Sequence, residues 1–139
     1  MPITADHIGR TYPATRPYRV SRAKIAEFAA ALGDDNPAYT AEDPIAPPTF
    51  AAVIAAQSWG SLFGDAELGL ALKRTVHADQ SFEIVRPLRE GDDVVARLSI
   101  EKVRNRGALD IVTVLVDLAV EGQRVCTARS TFMHTREEA

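Results

Sequence analysis

Between Gly33 and Tyr39 the chain reads Gly-Asp-Asp-Asn-Pro-Ala-Tyr, its most informative stretch for chemistry. Asp34 offers a carboxylate, Asn36 an amide and Tyr39 a phenol, the components of hydrogen-bonding and proton-transfer chemistry. General acid–base catalysis favours a group whose pKa lies near the working pH, a condition that histidine meets. A tyrosine, with an ordinary pKa of about 10, is a neutral hydrogen-bonding phenol near neutrality unless a strong positive field lowers it. The same residues have a plainer reading, because Asp-Asn-Pro after a helix is a common way to stop it and turn the chain.

The other reactive side chains are scattered. His7 and His134 sit near the ends of the sequence and are expected to face solvent. His77 falls on a predicted strand, where a lone histidine is usually structural, and it is the histidine best placed to touch a ligand; Asp79 and Gln80 read as polar groups at a surface or sheet end. Cys126 alternates with Ala128 and Ser130 and reads as a small packed residue, with no base beside it to make a nucleophile. No histidine–cysteine cluster has metal-ligand spacing and no glycine-rich loop could cradle phosphate, so neither a metal nor a cofactor is expected. A formal net charge of −3, with 16 scattered Lys and Arg residues, gives no basic patch for nucleic acid or an anionic membrane. A single cysteine excludes an internal disulfide, and the opening MPITADHIGR lacks the apolar stretch of a secretory signal, which makes the cytoplasm the expected compartment.

Surrounding elements must position these groups. With 139 residues, 46% hydrophobic and 25% charged, the chain is expected to form one domain over residues 1–139. Ser21 begins a helix in which Ile25, Phe28, Ala29 and Leu32 share a buried face and which Gly33 ends. Residues 2–20 are expected to lie over the surface, with a short extended piece at Tyr18–Val20, and Asp34 to Pro44 is a loop. From Phe50 to Phe63 no residue is charged, so a helix starting near Pro48 is expected to be buried on all sides. Its prolines suit the first turn, and Thr49 offers a capping oxygen. At roughly four turns it is shorter than the ~20 apolar residues that cross a bilayer. Trp59 on this helix reads as a core or interface anchor. Beyond Lys73 the apolar period changes to that of strands. Val76, Ala78, Gln80, Phe82 and Ile84 share one face; Val94, Ala96, Leu98 and Ile100 share another; and Ile111–Val120 is apolar on both faces, as a central strand would be. A tight turn at Glu121–Gln123 leads into a last strand ending near Phe132. The strands read as an antiparallel meander curled around one helix, an α+β domain.

The Gly33–Tyr39 loop, the helix start Ile45-Ala46-Pro47-Pro48-Thr49-Phe50, the segment Val76-His77-Ala78-Asp79-Gln80 and the turn carrying Arg86-Pro87-Leu88 and Gly91-Asp92 occur in an order that resembles one family. This is the MaoC-like, FAS1-like (N-terminal-type) hydroxyacyl dehydratase family of hot-dog proteins. The chain is most similar to small actinobacterial MaoC-like proteins and to non-catalytic subunits of (3R)-hydroxyacyl-ACP dehydratases. The resemblance implies a hot-dog fold, an antiparallel sheet wrapped around a long central helix. It also implies an acyl-CoA or acyl-ACP thioester as ligand, and association as a homodimer or as a heterodimer with a catalytic MaoC-like chain. Pairing through an exposed sheet edge is the usual route to such assemblies.

The family loop reads Gly-Asp-x-Asn-Pro-x-His. Asp34 matches its carboxylate and Asn36 its asparagine, but Tyr39 stands in the histidine's place, five residues after the aspartate. In catalytic members the aspartate–histidine pair hydrates a 2-enoyl thioester or dehydrates a 3-hydroxyacyl thioester. Losing one member of an acid–base unit usually costs orders of magnitude in rate. The resemblance therefore implies a non-catalytic or weakly active acyl-binding subunit, with Asp34 and Tyr39 at the degenerate catalytic positions and Asn36, Pro48, Thr49 and His77 contacting ligand. Free N–H groups at the start of the central helix would hold the thioester carbonyl. Thr40–Pro44 is shorter than the corresponding connection in catalytic relatives, which is expected to reshape or close the acyl tunnel. The same residues also fit an autonomous enoyl-thioester hydratase that uses Asp34 in a rearranged site with His77, a hot-dog acyl-CoA thioesterase, or a homodimeric scaffold without acyl ligand.

Overall fold

Ser21 accepts a hydrogen bond from the Lys24 amide and starts helix α1 (Arg22–Leu32), which Gly33 ends in the left-handed region at φ 69°. These and the following features come from a computed structural model, which describes residues 2–137. Ile25 and Ala29 form the buried face of α1, and Phe28 meets Phe50 edge-on with 5.3 Å between ring centroids. Leu32, expected on that face, is 51% exposed, because the last turn of α1 projects past the core.

Helical structure runs from Pro48 to Phe63, but not as one regular helix. α2 (Ala51–Ala55) and α3 (Trp59–Phe63) are each preceded by a tighter 3-10 turn, at Pro48–Phe50 and Ala56–Ser58. Phe50, Ala51, Ile54, Ala55, Ser58 and Leu62 are buried, whereas Thr49, Gln57, Gly60 and Ser61 are exposed. The segment expected to be buried all round thus has a bare face. Small uncharged residues permit burial without requiring it, and the sheet of one chain covers one side. Thr49 does not cap the segment: Pro47 holds the cap position and no side chain bonds there.

Five antiparallel strands curl around this segment in the order β1-β3-β4-β5-β2, where β1 is Tyr18–Arg19, β2 Thr75–Ile84, β3 Asp93–Arg106, β4 Leu109–Val120 and β5 Gln123–Thr135. Only β3, β4 and β5 form a meander. β2 pairs with β5, so the chain between β2 and β3 crosses the end of the sheet. β4, apolar on both faces, is the central strand as expected. Glu121 and Gly122 take φ of 50° and 78°, the paired positive values that match a two-residue turn to the twist of its hairpin. β5 continues to Thr135, past the expected end at Phe132.

Bulges set the phase of the strands. In β3, Val94, Ala96, Leu98 and Ile100 are buried, and after an irregularity at Glu101 it is Val103 that turns inward. In β2, Ala78 is the unpaired extra residue. His77, Gln80, Phe82 and Ile84 pair with the inward-facing Phe132, Ser130, Ala128 and Cys126, while Val76 pairs with Met133 on the outer face. The single face expected for Val76 through Ile84 is therefore split.

The segment before β1 does more than lie over the surface. Ile3 is fully buried, and the amides of Gly9, Tyr12 and Thr15 bond to the β3 carbonyls of Ile100, Leu98 and Ala96. Arg10 and Tyr12 also reach Asp65, at 2.9 and 2.6 Å. His7 is largely buried, its Nδ1 accepting from the Thr4 amide at 3.0 Å. His134 is buried against Asp110, not in solvent, because β5 extends far enough to carry it into the interior.

Candidate functional site

The Gly33–Tyr39 loop is built from its own polar groups. The Asp34 amide donates to the Ala29 carbonyl at 3.0 Å, Asp34 Oδ1 accepts from the Asn36 amide at 3.1 Å, and Asn36 Oδ1 accepts from the Ala38 amide at 3.0 Å. These side chains thus serve the turn. They lead into a 3-10 turn at Pro37–Tyr39 that carries Tyr39 into the core, 7% exposed, while Asp34 and Asn36 stay outside. The short Thr40–Pro44 connection brings the chain straight back: the Ile45 amide bonds to the Ala38 carbonyl at 3.2 Å and the Ala46 amide to the Leu88 carbonyl at 2.8 Å.

Two hollows meet at Tyr39. The outer one, about 500 Å³, is bordered by Gly33, Asp34, Asp35, Asn36, Tyr39 and Thr40 with the end of α1. The inner one, about 150 Å³, lies between the loop, the start of the helical segment and the end of β2, and is walled by Ala46, Pro47, Pro48, Ala51, Leu88 and Cys126. Asn36 and Tyr39 border both hollows; Asp34 borders only the outer one.

Charge is kept away from the inner hollow. Arg86 borders it, but its guanidinium is engaged by Asp92 at 2.8 and 3.1 Å and by the Pro87 carbonyl at 2.9 Å. Burial works to raise the pKa of Asp92, yet the Arg86 guanidinium and the Arg89 amide outweigh it and hold the carboxyl below the usual carboxylate range. At Cys126 burial pushes the thiol up to about 11, so it is an uncharged packing group, as its alternation with Ala128 and Ser130 implies.

The remaining expected site residues are distributed unevenly. Pro48 borders the inner hollow, whereas Thr49 faces outward and touches neither. His77 lies at the far end of β2 from Ile84, its ring edge-on to Trp59 with 5.0 Å between centroids and its Nε2 3.0 Å from Gln80 Oε1. The fold thus gathers Asp34, Asn36, Tyr39 and Pro48, and leaves His77 apart within the chain. The helix start presents few donors: Pro47 and Pro48 have no N–H, and the Phe50 amide is used by the Pro47 carbonyl at 2.9 Å. Ile84 and Cys126, which pair across β2 and β5 beside the inner hollow, were not identifiable as its walls from the sequence. Their adjacency depends on a pairing between distant strands.

Over residues 6–128 the chain matches the family described as FAS1-like, dehydratase domain region. It is 52% identical to a UPF0336 protein of Cutibacterium acnes over 139 residues, covering 99% of this chain and 98% of that one. Among solved structures it is similar to the C-terminally truncated HadBC (3R-hydroxyacyl-ACP dehydratase) complex of Mycobacterium tuberculosis, with a TM-score of 0.80 and 28% identity over 94% of this chain and 99% of the matched one. A MaoC-like dehydratase superposes with a TM-score of 0.83 at 24% identity, over 94% of this chain and 42% of that one. The curled sheet around the Pro48–Phe63 segment is the hot-dog fold.

Proposed function

The chain belongs to the FAS1-like dehydratase domain family, and on that premise we propose that it is an acyl-thioester-binding, non-catalytic or weakly active subunit of a (3R)-hydroxyacyl-thioester dehydratase or enoyl hydratase. The observation that carries this reading is the position of Tyr39. It stands where the resemblance places a histidine, and it borders both hollows while Asp34 borders only the outer one. Dehydration moves a proton from the carbon beside the thioester carbonyl and delivers one to the departing hydroxyl. Asp34 alone offers one group for these tasks, and an acyl group bound in the inner hollow lies beyond Tyr39 from it.

A second hot-dog chain suits the open side of the sheet. The segment before β1 bonds along β3, whereas among the described residues β2 pairs only with β5; Val76 and Ile84 of β2, with Leu72, Val85 and Met133 near it, are exposed. The unpaired side of β2, which mixes Val76 and Ile84 with Asp79 and Glu83, is a strand edge that a second chain can cover. A copy of this chain, or a catalytic MaoC-like chain with an intact aspartate–histidine pair, would cover it; the similar HadBC is itself a complex.

Tagged protein recovered from its native host should bring a second MaoC-like chain with it. The pair should hydrate crotonyl-CoA, and the isolated chain should do so about 100-fold more slowly or worse. An isolated homodimer that turns over at ordinary enzyme rates overturns the reading.

A further inference from the structure

We propose that the outer face of the sheet, over β3 and β4, is a docking surface for an acidic amphipathic helix of a partner protein. The carboxylates of that helix meet Lys102, Arg104 and Arg106, and its apolar stripe lies on Leu109, Ile111 and Met133. The surface is separate from the hollows at Tyr39 and does not depend on an acyl ligand. Strand pairing builds it. Past the irregularity at Glu101, β3 runs in regular register with β4, with Lys102 opposite Thr113, Arg104 opposite Ile111 and Arg106 opposite Leu109. Alternate residues of a strand share a face, so the three exposed cations stand in a row about 6.6 Å apart, on the side away from the buried Val103. Across the strands, Arg104 is followed by Ile111, Met133 and Val76, of which Met133 is 39% and Val76 65% exposed.

Two properties of this face are unmatched within the chain. β4 alternates buried with half-buried residues, and its outward set at this end, Leu109, Ile111, Thr113 and Leu115, carries no charge although it faces away from the core. Among the described residues Lys102, Arg104 and Arg106 have no carboxylate within salt-bridge reach, whereas Arg129, on the same face, is held by Glu101. Like charges in a row repel, and here they are gathered in a chain whose formal net charge is −3.

The form of the occupant follows from the same spacing. Carboxylates at i and i+4 of a helix lie about 6 Å apart along its axis, close to the interval between the cations, so one helix laid along β3 meets all three. A helix is about 10 Å across, the width of the strip from β3 to β5. Its apolar stripe then falls on Leu109 and Ile111, with the flexible Met133 able to fit itself to it. Single-stranded nucleic acid takes aromatic platforms for its bases, and Phe132, the one aromatic residue of β3, β4 and β5, is turned into the core at 3% exposure. An anionic membrane is held by larger clusters of Lys and Arg, and this row of three belongs to an acidic chain.

Fluorescence anisotropy with a synthetic helical peptide, carrying glutamate at every fourth position beside a stripe of leucines, tests the surface on the full chain. Saturable binding is expected, weakening as salt is raised. Arg104→Glu, which removes one ion pair and adds a repulsion, should weaken it about tenfold or more. The triple variant Lys102→Glu, Arg104→Glu, Arg106→Glu should lose the glutamate peptide and bind a lysine counterpart instead; Arg104→Glu alone serves if the triple variant fails to fold. Ile111→Asn should weaken binding at every salt concentration. Arg16→Glu, which reverses an exposed cation outside the face, should bind as the wild type does. No saturable binding up to about 1 mM peptide, equal binding of the lysine peptide by wild type, or a triple variant that keeps the glutamate peptide overturns the proposal. Sedimentation velocity tests a second copy as occupant: self-association of the wild type that the triple variant abolishes gives the face to that copy and also overturns the proposal.

Discussion

The imidazole of His134 and the carboxylate of Asp110 lie 3.2 Å apart, with 2% and 1% of their side chains exposed. His134 Nε2 accepts from the Ala71 amide at 3.1 Å, which requires the Nδ1 proton to point at Asp110. Asn105 donates to Asp110 at 2.7 Å and to the Ile3 carbonyl at 2.9 Å, and Arg136 Nε approaches the same Asp110 oxygen at 3.2 Å. The cluster joins the start of the chain, the approach to β2, and the ends of β3, β4 and β5. His134→Ala takes one hydrogen bond from Asp110 and Asp110→Ala leaves a buried imidazole N–H unpaired, so each is expected to cost about 1–3 kcal/mol in urea unfolding. The double variant should cost less than the sum.

Restoring the missing base tests the site directly. Tyr39→His should give the isolated chain hydration of crotonyl-CoA at least about 100-fold above wild type. Adding Asp34→Asn should remove the gain, and Tyr39→Phe should show none. Steady-state assays of the three variants decide the matter.

Acid should weaken the fold through carboxylates that the native state holds ionised. Hydrogen bonding from Tyr12, and beyond it Arg10, lowers the pKa of Asp65 despite the opposing effect of burial, and Asp92 is lowered as described above. A folded-state pKa below the unfolded value, about 4, gives stability that is full above pH 4 and is lost as pH falls through the folded value. Urea midpoints measured downward from pH ~5 should fall for wild type and fall less steeply for Asp65→Asn and Asp92→Asn. At neutral pH Asp92→Asn should cost about 1–2 kcal/mol, since it gives up charged hydrogen bonds to Arg86.

Two substitutions in the helical segment should behave oppositely. A Cβ on Gly64 would sit 2.8 Å from the Gly60 carbonyl oxygen, a backbone atom that cannot swing aside, so Gly64→Ala is expected to lower stability by about 1–3 kcal/mol. Thr49→Ala, at an exposed position that caps nothing, should fall within about 0.5 kcal/mol of wild type. Thermal unfolding of both variants provides the comparison.

Local chemistry made much of the fold legible. Ser21 and Gly33 bound α1 through a cap and a left-handed residue, and the doubly apolar Ile111–Val120 run marks the middle of the sheet. The alternation through Cys126, Ala128, Ser130 and Phe132 carries on to His134 and buries it, whereas nearness to the end of the sequence pointed to solvent. The phase of β2 had no comparable signal, because its bulge falls on an ordinary alanine and its partner strand lies far away in sequence. Asp34, Asn36, Tyr39 and Pro48 could be grouped from the loop and the helix start. That Tyr39 stands between two hollows could not, since it follows from the single turn of 3-10 helix at Pro37–Tyr39 and from the tie between Ala46 and Leu88.

The strand order also constrains how the chain comes to be folded. Among the described residues β2 pairs with no strand except β5, and every residue of β3 and β4 is synthesised between them. A nascent chain therefore carries β2 as an unpaired strand until β5 emerges, and closing so long a loop is slow. The edge suited to another subunit in the finished protein is, during synthesis, the segment most open to chaperones and to misassociation.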